Sequence, residues 1–386
     1  PDKFLLRMLL AMLMGFNSIE FVVSFTSNNL HALPKHASGP KFSCPRRSLF
    51  SEHPDSVVNR DIKQRITRSV AHTGAETSRS RSKAAGKPTS VVASIIKTFT
   101  SLIHGFLLFL RDVYGQFLVL FMDTLINRPF LNILNKVDIV NHKGLTDYIH
   151  KRPKGVPLIT VSNHCSSLDE PLLFSALIPW PIKQWQLRYS LCNDDMFYSL
   201  GEVFAQLFFF ASRGIPIWRS RSMNQPTFKL FCGKAAKGGW CHIFPEGRIW
   251  QPWKLRQEGR VLGPLRPGVG KLIAHCEASP PVVLPFHHSG MHRVLPQYPG
   301  SRRQSLPPKT GNTIRIRVGQ PIQVQDLIDA AAEGRRLARA QAGATDPLES
   351  TPADEALYAA ITLRVEAALT ALAQEVWQDA PHELET

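Results

Sequence analysis

The chain has 386 residues, an apolar fraction of 44%, and 46 Lys and Arg against 30 Asp and Glu, for a net charge of +16. That length holds one large domain with appendages or two modest domains, and the apolar fraction is that of a globular protein. The cationic excess points to an anionic partner, either nucleic acid or an anionic membrane surface. Six cysteines without a CxxC pair argue against a zinc framework and demand no disulfide network.

Residues 1–90 read as a targeting and disordered basic segment. The charge-free stretch 8–19 is too short to span a bilayer and suits a signal or presequence. From about 27 to 90 the chain is rich in Ser, Arg and Lys, poor in acids and without apolar period, so it is expected to be disordered. Together these segments suit an organellar transit peptide; a plain basic tail is the alternative. Residues 91–130 follow, with Phe99, Leu102, Phe106, Leu110, Val113, Phe117 and Phe121 at helical spacing. The uncharged run 98–110 is 13 residues long. At ~1.5 Å per residue it falls short of a bilayer core of ~30 Å. An interfacial or re-entrant membrane helix is the favoured reading, ahead of a core helix and of a full span.

Residues 131–330 alternate apolar runs with helical stretches, as in an α/β fold with a sheet flanked by helices. The expected strands are 157–161, 215–218, 240–244, 281–286 and 314–318. The expected helices are 171–177, 201–210 and 268–276, and 298–310 reads as a surface loop. Residues 331–386 read as a linker and an amphipathic helix. Thr351, Pro352 and Asp354 mark its start, and Leu357, Ile361, Val365, Leu369, Leu372 and Val376 form its stripe.

Polar clusters follow four of the apolar runs. The first is Asn163-His164-Cys165, with Asp169 five residues after the histidine; then come Arg219, Pro245-Glu246-Gly247-Arg248, and His287-His288-Ser289-Gly290. Ligands of open α/β sheets bind at the carboxyl ends of strands. If these runs are neighbours, a base (His164), its orienting carboxylate (Asp169) and two guanidiniums (Arg219, Arg248) line one rim. Arginine grips phosphate bidentately, and Gly247 admits a ligand close to the backbone. The chemistry implied is proton removal from an alcohol on a phosphate-bearing molecule, with attack on an acyl carbonyl.

His164 and Asp169 match the H-x-x-x-x-D block of the glycerolipid acyltransferases. Residues 244–248 resemble their F-P-E-G block, Arg219 the arginine block between, and Val283-Leu284-Pro285 the fourth. The stretches 161–164, 268–274 and 288–296 resemble the tafazzin branch in particular. The resemblance covers about 91–328. It implies a glycerol-3-phosphate acyltransferase-like mixed sheet with an N-terminal membrane-associating helical segment. It further implies a mitochondrial, membrane-associated enzyme that moves acyl chains between phospholipids and monolysocardiolipin with no cofactor and no CoA. His164 would be the base and Asp169 its partner, while Arg219, Glu246, Gly247 and Arg248 would bind the phosphate end. Cys165 stands where the family often has Gln, and Glu170 where tafazzins usually have Asp.

Other readings stay beside this one. Glu246 reads equally as a structural group on the amides of the His164 turn. Cys165 reads as inert rather than nucleophilic, and His287 and His288 as packing or lipid contacts rather than metal ligands. Trp250 and Trp253 read equally as headgroup anchors or as caps on the domain. The alternatives for the whole chain are an acyl-CoA-dependent lysophospholipid acyltransferase, with acyl-CoA as co-substrate, and a non-catalytic basic membrane-binding protein. Partners are expected to be phospholipid and lysophospholipid substrates and an anionic membrane surface, with no nucleic acid. A plastid or another organelle is the alternative to the mitochondrion.

Overall fold

A computed structural model describes residues 90–193, 209–218, 223–276, 279–301, 304–343, 346 and 349–379. The targeting segment, most of the helix expected over 201–210, and Arg219 lie outside these residues. Seven strands occur among the described residues: β1 (Lys136–Val140), β2 (Leu158–Ser162), β3 (Tyr189–Asn193), β4 (Gly214–Ile217), β5 (Trp240–Ile243), β6 (Val282–Ser289) and β7 (Thr313–Val318). They form one sheet in the order β1-β7-β6-β2-β5-β3-β4. All neighbours are parallel except β6 and β7, so the sheet is mixed. The five expected strands are present; β1 and β3 were not expected.

Strand β2 is buried at all five positions, as a central parallel strand covered on both faces should be. Ile159 and Val161 point into one apolar layer. They pack there with Phe228 and Phe231 of α5 (Pro226–Ala236), Leu272 of α7 (Gly268–Ala274), and Ile361, Val365 and Leu369 of α10 (Pro352–Asp379). Leu158 points into the other layer, with Leu145 of α3 (His142–Lys151) and Leu172, Leu173 and Leu177 of α4 (Asp169–Leu177). The period of two along β2 thus sends alternate side chains to opposite helical layers.

Helix α10 is long and apolar enough to cross a membrane, yet all six residues of its stripe are buried in the domain. Its start is a reciprocal cap: Asp354 accepts the Thr351 backbone N–H at 2.9 Å, and its own N–H reaches Thr351 Oγ1 at 3.3 Å. Arg335 and Arg339 of α9 (Gln325–Ala342) pair with the same carboxylate. Helix α9 ends at Ala342, and its polar surface hides a single buried edge around Ile328 and Arg335.

Helix α1 covers Ser90–Met122, and the chain divides into two compact units between Phe109 and Leu110. In the first unit Phe99, Leu102, Ile103, Phe106 and Phe109 are exposed. In the second, Leu110, Val113, Phe117 and Phe121 of α1 are exposed, as are Leu125, Ile126, Trp180 and Trp185. The Trp180 indole donates to Thr124 Oγ1 at 3.1 Å, which brings this tryptophan beside the end of α1.

Candidate active site

Strands β5 and β6 flank β2 and run parallel to it, so the carboxyl ends of all three share one rim. The turn after β2 carries His164. It is built around Asp169, which is fully buried and opens α4. One carboxylate oxygen, Asp169 Oδ2, accepts three N–H groups: the backbone amides of Cys165 at 2.8 Å and Ser166 at 2.9 Å, and His164 Nδ1 at 2.9 Å. Because a carboxylate only accepts, the Nδ1–H tautomer is set and the Nε2 lone pair is free to take a proton. The His164 side chain is 14% exposed and its ring stacks on Phe244 with centroids 4.2 Å apart.

The loop after β5 holds the same turn from the other side. Glu246 is buried, and both its oxygens are used: Oε2 accepts the His164 backbone N–H at 2.6 Å and Oε1 that of Gly263 at 2.8 Å. Burial pushes this carboxyl up to about 8, against the pull of the two amides. Glu246, read equally as a substrate-binding or a structural group, bonds two backbone amides. Gly263 lets the chain come this close, since a Cβ there would sit 2.4 Å from the Trp250 ring. Gly247 turns the loop with φ of 67°, a left-handed conformation that suits glycine, and is exposed.

Arg248 is exposed, with its guanidinium 4.2 Å from the centroid of the buried Trp250 ring, over which Lys254 also lies at 4.6 Å. Trp250 thus caps the domain and carries two cations on its ring. Arg266 is a third exposed cation at this loop; its Cγ would lie 3.4 Å from a Cβ on Gly247. Arg219 follows β4, the edge strand. Its carboxyl end lies on the same side of the sheet, but three strand spacings from β2, about 14 Å away.

Strand β6 closes the other side. Asn163 and His288 exchange hydrogen bonds: Asn163 Nδ2 to His288 O at 2.9 Å, and His288 N to Asn163 Oδ1 at 3.0 Å. The His288 ring adds a third, from Nε2 to Asn163 O at 2.9 Å. Gln251, also missed in the sequence, donates to the carbonyls of Cys165 at 3.0 Å and Leu295 at 2.9 Å. Behind the turn lies a cavity with room for water centres of about 10 Å³, enough for one molecule. Its lining includes four buried nitrogens without a protein partner: Trp250 Nε1, His287 Nδ1, His292 Nε2 and Trp377 Nε1.

Cys165 is buried and burial pushes its thiol well above the ordinary range, the opposite of what a nucleophile needs. Cys165, Asp169 and His288 bring three potential ligand atoms within 4.8 Å of one another. Asp169 Oδ2 and His288 Nε2 are already engaged by protein groups, so the cluster reads as a hydrogen-bonded core.

Residues 139–289 match the family model for acyltransferases. The chain is 34% identical to a tafazzin of Drosophila melanogaster over 218 residues, which are 56% of this chain and 53% of the fly protein. It is 31% identical to an N-acylphosphatidylethanolamine synthase of Arabidopsis thaliana over 193 residues, 50% of this chain and 65% of the plant protein. A protein of Dictyostelium discoideum named taffazin is 29% identical over 219 residues, 54% of this chain and 69% of that one. The chain thus spans about half the length of the fly relative and just under two thirds of the plant one. Residues 139–289 thus match an acyltransferase domain, with His164, Asp169 and the loop 244–248 on one rim of the sheet.

Proposed function

We propose that this chain is a phospholipid–lysophospholipid transacylase that works without CoA, with monolysocardiolipin as acceptor, on a mitochondrial membrane. The observation that carries the reading is the His164–Asp169 contact at 2.9 Å, on a rim where Arg248 and Arg266 are exposed. In the proposed reaction, His164 Nε2 takes the proton of the acceptor hydroxyl as its oxygen attacks the donor's ester carbonyl. The tetrahedral intermediate collapses, and the imidazolium returns the proton to the departing lysophospholipid oxygen. Asp169 steadies the imidazolium, and such a positioned base typically contributes ~10²–10⁴ in rate. Arg248 and Arg266 bind the acceptor phosphates, with Gly247 leaving room; Arg219 assists, and Glu246 holds the base rather than the headgroup. Within the second unit, the exposed Phe117 and Phe121 of α1, with Trp180 and Trp185, suit attachment at the lipid interface.

The test is transfer of label from phosphatidylcholine to monolysocardiolipin by purified protein without CoA. Transfer that disappears in His164→Ala is expected. Label that reaches monolysocardiolipin only from labelled acyl-CoA, and not from labelled phosphatidylcholine, would replace the transacylase with a CoA-dependent enzyme, and no transfer in either arm would sink both. The plant relative favours one further arm: N-acylation of phosphatidylethanolamine, scored on the same plates.

A further inference from the structure

The backbone on either side of His164 is pinned at each polar atom. The His164 N–H goes to Glu246, and its carbonyl accepts the Trp250 N–H at 2.7 Å. The Cys165 N–H goes to Asp169 and its carbonyl accepts from Gln251. The Asn163 carbonyl accepts the Ser162 hydroxyl at 3.1 Å and, at 2.9 Å, the ring of His288, which lies on a different strand and 125 residues away. A carbonyl only accepts, so His288 carries its proton on Nε2, and Nδ1 is left as an acceptor. That nitrogen lies 3.8 Å from Cys165 Sγ, within reach of the thiol hydrogen. The same Nε2 lies 3.7 Å from Asp169 Oδ2. The ring is fully buried, so it cannot touch substrate; burial also lowers its pKa and keeps it in the neutral form these contacts require.

We propose that His288 is a positioning residue for acyl transfer, whose Nε2–H fixes the Asn163 peptide and so sets His164 in register with Asp169. The proposal rests on His164 being the base, as argued above. It goes beyond the two blocks that contribute the base and the anion loop, and it gives the end of β6 a part in the reaction.

Two variants of similar polarity separate the donor from mere filling of the core. In His288→Gln the side-chain amide nitrogen falls where Nε2 was, and the bond to Asn163 survives. In His288→Asn the amide is too short to reach it. His288→Gln is expected to keep kcat within about threefold, whereas His288→Asn is expected to lose kcat by about 10–100-fold, with KM little changed, as small misplacements of a base do. Equal kcat in the two variants, or a loss carried by KM, would overturn the proposal. Asn163→Ser removes the side-chain half of the same link and serves if His288→Asn does not fold. A kcat like that of the parent protein would then overturn it. Proton NMR of ¹⁵N-histidine-labelled protein reads the geometry without substrate. The low-field His164 Nδ1–H signal, assigned by its loss in His164→Gln, is expected to persist in His288→Gln and to shift or vanish in His288→Asn. An unchanged signal in both would refute the positioning role even if no acyl transfer were found. Absence of transfer in the parent protein would instead refute the proposed function alone.

Discussion

Glu246→Gln replaces a single heavy atom, and its consequence can be worked out from two distances. Both carboxylate oxygens accept backbone N–H groups, from His164 at 2.6 Å and Gly263 at 2.8 Å. Glutamine has one carbonyl oxygen and one NH₂, so in either orientation one amide meets a donor. A hydrogen bond to a carboxyl held at about 8, and so largely neutral at pH 7, contributes about 0.5–1.5 kcal/mol, and a stranded buried N–H costs about 1–3 kcal/mol. The expected destabilisation is on the order of 2–4 kcal/mol, which a fold of ordinary stability, about 5–15 kcal/mol, survives. The turn bearing His164 loses one of its anchors, and a displacement near 1 Å costs about 10²-fold in turnover. The assay is CoA-free acyl transfer against acceptor concentration, run beside thermal unfolding. A fall in kcat and in Tm with KM nearly constant is expected. A tenfold rise in KM with kcat and Tm unchanged would refute the reasoning, because it would put the carboxylate on the substrate.

Asp169→Asn removes the charge that three N–H groups share, and is expected to lower kcat by about 10²–10⁴-fold with membrane binding intact, measured by transfer and by vesicle sedimentation. Arg248→Ala leaves the core untouched; it should raise KM for the acceptor about tenfold and weaken the salt dependence of the rate, since an exposed guanidinium contacts phosphate through screened charge. His287 and His292 are held at about 3 by burial, below the ordinary 6.5 of the unfolded chain. The unfolded state therefore binds more protons between those values. Their contribution to stability is full above pH 6.5 and falls as pH drops toward 3, by up to about 1.4 kcal/mol per pH unit for each. Thermal unfolding from pH 7 to pH 4 should show that fall, and His287→Gln should make it shallower.

The strands that were legible are those with unbroken apolar runs. Strand β2 is one, and its alternate side chains fill both layers. Strand β1 is an edge strand of only five residues, whose alternation of exposed Lys136, Asp138 and Val140 with half-buried partners ends on an apolar residue facing outward, and β3 mixes Tyr189, Ser190 and Asn193 without an apolar run. His164 and Asp169 were visible because a local turn of five residues brings them together. Glu246 bonding His164, and His288 bonding Asn163, depend on which strands lie side by side, which spacing along the chain does not carry. The Arg188–Glu170 ion pair between β3 and α4 is hidden for the same reason. The cap of α10 was readable at Thr351 and Asp354, whereas the two arginines of α9 that complete it were not.

Helix α10 lies well past residue 289, where the acyltransferase match stops, yet Trp377 lines the cavity behind the His164 turn and meets His287 edge-on with centroids 5.9 Å apart. Burying its six stripe residues contributes on the order of 10 kcal/mol, as much as the net stability of a typical domain. The unit that evolution keeps recognisable is thus smaller than the unit that folds. A chain clipped between residues 320 and 351 would retain every residue of the proposed reaction and lose this wall of the cavity, so integrity of the C-terminal helix governs how much folded protein a cell can hold.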